Sequence, residues 1–292
     1  MKSRVVKEVS FKVNSLTLAG KMWGDDKGQP VIALHGWLDN ANSFDYLAPC
    51  FPNLNICALD MAGHGFSDHR PGWGQYSTYE YIFDVLEIAK LLGWNKFSII
   101  GHSMGTHIGL IMAALMPELI DKVFLIEGFG IPIRQPASEV PGLVKGAYLK
   151  TVGLKDKQAP IYPSIDAMVE TRKKALIQIN EAAARLLCER SVKKQANGYT
   201  WRNDPRLKFT APLKVNHEEI CEYVKRIEAP TCLVFGDEGP NRDKSLIDER
   251  IALHRDIQVH RFRGGHHLHM EDDYMDVARV MAQFFDVPLM TS

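Results

Sequence analysis

Apolar and polar residues alternate at the start of the chain. Val5, Val9, Phe11 and Val13 are interleaved with polar neighbours, and the period of two predicts a strand over residues 5–13. Asn14-Ser15 supplies a turn, and residues 16–23 read as the hairpin partner. The pattern then changes to short continuous apolar runs, the mark of strands covered on both faces. Such runs occupy 30–34, 55–59, 97–100, 122–126 and 230–236, with a last strand over 257–262. Between them the apolar spacing becomes helical, over 41–49, 77–92, 104–116, 216–227, 244–253 and 274–285. Strands alternating with helices predict an α/β fold: a mostly parallel central sheet flanked by helices.

Residues 131–212 break this rhythm. Prolines recur at 132, 136, 141, 160 and 163, and a long helical stretch over 165–194 carries no buried strand. This segment is expected to be an inserted helical cap, with residues 1–130 and 213–292 forming the core. Met168, Ile177, Ile179 and Leu186 are expected in packing or pocket lining.

Composition narrows the class. The chain has 292 residues, enough for one large α/β domain with an insertion. Lysine plus arginine and aspartate plus glutamate are 35 each, so no net charge favours nucleic acid. The five cysteines form no C-x-x-C pair and read as reduced thiols. The first residues carry charges where a signal peptide has an apolar run, and no stretch of 18 apolar residues exists. A soluble, cytoplasmic protein is expected, with no membrane span. A homodimer through the cap or an edge strand is left open.

The chemistry concentrates at strand ends. The run over 97–100 leads into Gly101-His102-Ser103-Met104-Gly105, a G-x-S-x-G arrangement. A strand turning at once into a helix crowds the backbone, so Cβ-free neighbours are needed beside the serine. The amides that start the helix then face the serine and suit an oxyanion. His35-Gly36-Trp37 ends an earlier strand, and the Trp37 amide is a candidate oxyanion donor. Asp60 and His64, in a glycine-rich turn, read as structural. Glu127, Asp237 and His266 also follow strands. His266, His267 and His269 are clustered, but no carboxylate at metal spacing accompanies them in sequence, so no metal is expected. His102 and His107 read as structural.

Taken together, His35-Gly36-Trp37-Leu38-Asp39-Asn40, the 60–67 turn, Gly101 to Gly105 and Gly265-His266-His267-Leu268-His269-Met270-Glu271 resemble the α/β-hydrolase-fold serine hydrolases over nearly the whole chain. The first and third motifs are similar to the serine hydrolase-like branch. The resemblance implies that Ser103 is a nucleophile and His266 its general base and acid. It implies an oxyanion hole of the Trp37 and Met104 amides, and no cofactor. The implied substrate is a small-molecule carboxylic ester. One departure stands out. Many relatives place an aspartate three residues after the glycine that ends the penultimate strand, and here that position is Gly239. Glu127 is the first candidate for the acid, ahead of Asp237 and Glu238. A ligand-binding homologue without turnover is the alternative.

Overall fold

Strands that are apolar at every position need cover on both faces, and the layering follows from that. The computed structural model describes residues 6–72, 76–130, 138–154, 159–175, 177–209, 215–240 and 243–290. Val5, Trp73, Gly74, Pro132, Pro136 and the expected core–cap boundaries at 131 and 212 lie outside them.

The hairpin comes first, as β1 (Lys7–Val13) and β2 (Leu16–Gly24). Then follow β3 (Gln29–Leu34), β4 (Leu54–Leu59), α1 (Thr78–Leu91), β5 (Phe97–His102), α2 (Met104–Leu115) and β6 (Ile120–Ile126). Next come α3 (Val140–Gly153), α4 (Ile165–Lys173), α5 (Glu181–Ser191), β7 (Val192–Gln195) and β8 (Gly198–Trp201). The chain closes with α6 (His217–Val224), β9 (Thr231–Gly236), α7 (Lys244–Leu253), β10 (Ile257–Phe262) and α8 (Tyr274–Phe285). Eight strands form one sheet in the order β1-β2-β4-β3-β5-β6-β9-β10. From β4 to β10 neighbours are parallel, and β1 and β2 run antiparallel at one edge.

Alternate strand residues feed two cores. Ile32, Leu34, Ile99 and Leu125 pack with Ile82 and Val85 of α1 and Ile108 and Ile111 of α2. Val31, Ala33, Ile100 and Phe124 pack on the other face with Val277, Met281 and Phe285 of α8. Among the described residues, no helix is long and apolar enough to cross a membrane.

Two expected helices take other forms. Residues 41–49 make two 3-10 turns, Ala41–Phe44 and Ala48–Cys50. Asn40 Oδ1 accepts from Asn42 N–H and starts a tight turn, and Pro49 has no N–H with which to continue a helix. The stretch over 165–194 splits into α4 and α5. Ser164 caps α4 and Asn180 caps α5, each accepting a main-chain N–H through its side chain. The helix then stops at Ser191, because Val192–Gln195 pairs with Gly198–Trp201 in a hairpin. The Asn197-Gly198 dipeptide was the sequence signal for that turn.

Candidate active site

Ser103 sits where β5 ends and α2 begins, at φ 49° and ψ −108°. Its own N–H donates to Ile126 O at 3.0 Å, so the next strand fixes the turn. The flanking glycines are needed for contact. A Cβ on Gly105 would fall 2.0 Å from Leu34 O, and one on Gly101 would fall 2.7 Å from Gly105 O. Ser103 makes no side-chain cap to α2, which sets aside a mere capping role. Met104 is the first residue of α2, so its N–H has no partner within the helix. The Trp37 backbone lies in the turn after β3, while its indole is half-exposed and donates to Leu207 O at 2.9 Å.

Glu127 follows β6 at φ 63° and is buried. Its Oε1 accepts from Gly236 N–H at 2.6 Å, and its Oε2 accepts from His266 Nδ1 at 2.9 Å. Thus β6, β9 and the loop after β10 meet at one carboxylate. Asp237 and Glu238 are exposed, and Glu238 Oε1 lies 3.7 Å from Arg263 Nε. Of the three candidate acids, the structure brings Glu127 to His266. Ser103, Glu127 and His266 line a cavity of about 220 Å³, walled by Phe129, Ile177, Pro240, Leu246 and Ile247 among others. Arg250 also lines it, with its guanidinium donating to the carbonyls of Phe129 and Gly130 at 3.0 and 2.6 Å.

Asp60, His64, His102 and His107, read as structural from the sequence, are all buried. Asp60 is buried and accepts from Ala41 N–H and Phe66 N–H at 2.9 and 2.8 Å. Burial pushes the His64 ring down to about 3 and the His107 ring down to about 4. Met168 and Ile179 pack in a separate core with Leu187 and Met270.

One cluster was not legible in the sequence. Asp39, from the turn after β3, places Oδ2 3.3 Å from His267 Nε2 and 3.5 Å from His102 Nδ1. A carboxylate therefore does accompany the clustered histidines, contrary to the sequence expectation. The long gap from Asp39 to His266 and His267 in the chain hid it. Burial pushes the Asp39 carboxyl up, but His267, His102 and Arg172 together hold it well below the usual carboxylate range. Among the described residues, Asp39-His102-His267 and His217-Cys221-Glu249 are the sets whose donor atoms gather within 4.8 Å. Neither is arranged for a cation. Arg172 Nη2 stands 2.8 Å from Asp39 Oδ1 and 3.4 Å from His267 Nε2. Arg250 Nη2 donates to His217 Nδ1 at 3.0 Å, which leaves the ring proton on Nε2, facing Glu249.

A serine turn after β5, with a buried carboxylate and a histidine after later strands, is the arrangement that the sequence resemblance implies. The sequence pattern of the α/β hydrolase fold family matches residues 29–273. The chain belongs to that family. Within it, the chain is 30% identical over 281 residues to a serine hydrolase-like protein of Dictyostelium discoideum, covering 91% of this chain and 78% of that protein. A probable serine hydrolase of Drosophila melanogaster is 30% identical over 90% of this chain and 83% of its own length. The crystal structure of a hypothetical protein from Pseudomonas aeruginosa PAO1 is 38% identical, with TM-score 0.89, covering 96% of this chain and all of that one. The protein is thus an α/β-hydrolase-fold, serine hydrolase-like protein.

Proposed function

We propose that the protein is a serine hydrolase that cleaves carboxylic esters through an acyl-enzyme on Ser103. Ser103 Oγ attacks the acyl carbonyl carbon while His266 Nε2 takes the hydroxyl proton. Glu127 Oε2 accepts from His266 Nδ1 at 2.9 Å, which fixes the tautomer with the lone pair on Nε2 and stabilises the imidazolium. The Trp37 and Met104 amides receive the oxyanion, and one such donor is typically worth about 3–4 kcal/mol. The tetrahedral intermediate collapses, and His266 returns the proton to the departing alcohol. Water repeats the sequence on the acyl-enzyme and regenerates Ser103. All of this uses the chain's own residues.

The observation that carries the reading is the Glu127–His266 contact in the cavity that Ser103 lines. The apolar wall of Phe129, Ile177, Leu246 and Ile247 favours a small to medium acyl or aryl ester. We assign residues 131–212 to a cap over the core. The alternative of a ligand-binding homologue without turnover leaned on the shifted acid motif, and the Glu127–His266 contact argues against it.

Hydrolysis of p-nitrophenyl esters from acetate to octanoate tests the reading. Turnover by the wild type, lost in Ser103→Ala, is expected. A wild type that turns over none of the series overturns the ester assignment and favours the binding protein.

A further inference from the structure

Asp39 joins three parts of the molecule that the reaction must hold together. Its N–H donates to Gly36 O at 3.1 Å, which closes the turn carrying Trp37. Its Oδ1 accepts from Arg172 Nη2 of α4 at 2.8 Å. Its Oδ2 accepts from His267 Nε2 at 3.3 Å and faces His102 Nδ1 at 3.5 Å. The second gap is too long for a hydrogen bond, so the carboxylate meets His102 by packing alone. The approach depends on Gly36. A Cβ there would lie 2.8 Å from Asp39 Oδ2 and 2.9 Å from His102 Nδ1.

Both rings that Asp39 touches support His266. His102 Nε2 lies 3.0 Å from the main-chain oxygen of His266, and a carbonyl only accepts, so this nitrogen carries the proton. The His102 and His267 rings pack 4.8 and 5.2 Å from the His266 ring, centroid to centroid. His266 is therefore held on one side by Glu127 and on the others by two rings that lean on Asp39. All of these groups are buried, where an unpaired carboxylate would be costly, and Arg172 supplies the opposing charge from outside the core.

We propose that Asp39 is a positioning residue: it holds His102 and His267 against His266 and, through Arg172, makes the seating of α4 and the alignment of His266 a single event. This rests on the serine hydrolase reading for its effect on turnover. It does not rest on that reading for its effect on the His266 ring.

The test uses the full chain with Asp39→Asn, Arg172→Met and Arg172→Lys. The first readout is kcat and KM on a p-nitrophenyl ester. The second is the downfield proton resonance of His266 Nδ1–H, assigned by its loss in Glu127→Gln. Misplacing a reacting group by about 1 Å can cost about a hundredfold in rate. We expect kcat to fall at least about tenfold in Asp39→Asn and Arg172→Met, with KM within about twofold. The resonance should shift or broaden in both, and Arg172→Lys should recover most of both signals. Arg172 is at the cap edge, so Arg172→Met keeps the test open if Asp39→Asn does not fold. An unchanged resonance and kcat in folded Arg172→Met overturns the proposal, as does a loss confined to KM. If the wild type hydrolyses no ester but the resonance responds to Arg172→Met, the ester reading fails and the positioning role stands.

Discussion

Glu127 fills the space that a side chain on Gly239 would need: a Cβ at 239 would lie 2.7 Å from Glu127 Oε2. The position at which many relatives carry an aspartate is thus bare, and the carboxylate reaches the same place from the neighbouring strand β6. The two arrangements exclude each other sterically. Glu127→Gln is expected to lower kcat/KM at least about a hundredfold with the fold intact, because the amide cannot stabilise the imidazolium. Gly239→Asp alone should also lose activity, since two carboxylates would share one site. In Glu127→Gly with Gly239→Asp, the acid moves to the other strand, and ester turnover should recover at least about tenfold over Glu127→Gly alone. Steady-state kinetics of the four variants checks this.

Ser103 has a φ of 49° and a ψ of −108°, a region that only glycine occupies without strain. Such strain costs on the order of 1–3 kcal/mol and persists where the surroundings hold it. Ser103→Gly should therefore abolish turnover and raise unfolding free energy by about 1 kcal/mol. Urea denaturation of the two proteins measures the difference. Equal or lower stability of the variant would count against strain at this turn.

Arg190 ties α5 to Glu8 in β1 and to Asp60 just after β4. Its Nε donates to both oxygens of the buried Asp60, at 2.9 and 2.7 Å, and its Nη1 to Glu8 Oε1 at 2.7 Å. Removing one member of a buried pair leaves the other charge uncompensated. Arg190→Met should cost about 3 kcal/mol, read from the shift in urea midpoint at constant slope. The same side chain stacks over Phe66, with 4.3 Å from Cζ to the ring centroid, so packing is lost as well.

Acid should destabilise the fold from about pH 6.5 downwards. Burial pushes His64 down to about 3 and His107 down to about 4, and it also lowers His35, His102, His254 and His269. In the unfolded chain these rings return to 6.5. Below 6.5 the unfolded state therefore binds protons that the native state refuses, and stability falls as pH falls. Each such ring contributes a slope of about 1.4 kcal/mol per pH unit within its window. Asp84 works the other way. Burial raises it to about 6 against the pull of Arg70, so the native state takes up a proton there first. The histidines outnumber it, and the net loss should appear in urea midpoints at about pH 7.5, 6 and 5, with a flatter dependence in His64→Gln.

The central strands were legible because β3 to β6 and β9 are mostly buried and read as short apolar runs, and the edge strand β1 was legible by its alternation. The turn at Ser103 was legible for a related reason: close packing of β5, α2 and Leu34 leaves room only for glycine at 101 and 105. The hairpin of β7 and β8 was hidden because Val192-Lys193-Lys194-Gln195 has one apolar residue and continues the helical composition of α5. Asp39, Arg172 and His267 come from distant parts of the chain, and none of their contacts leaves a local pattern. Glu127 stood out as a carboxylate just after a buried strand, but its reach to His266 depends on β6 lying parallel beside β9, whose Gly236 N–H holds the carboxylate. Only the folded chain supplies that.

The most direct test of the account is intact-mass analysis after reaction with a fluorophosphonate. The account predicts one adduct on the wild type, mapped by peptide sequencing to Ser103, absent in Ser103→Ala and formed at least about a hundredfold more slowly in Glu127→Gln. No adduct on the folded wild type, or an adduct at another residue that persists in Ser103→Ala, would contradict it.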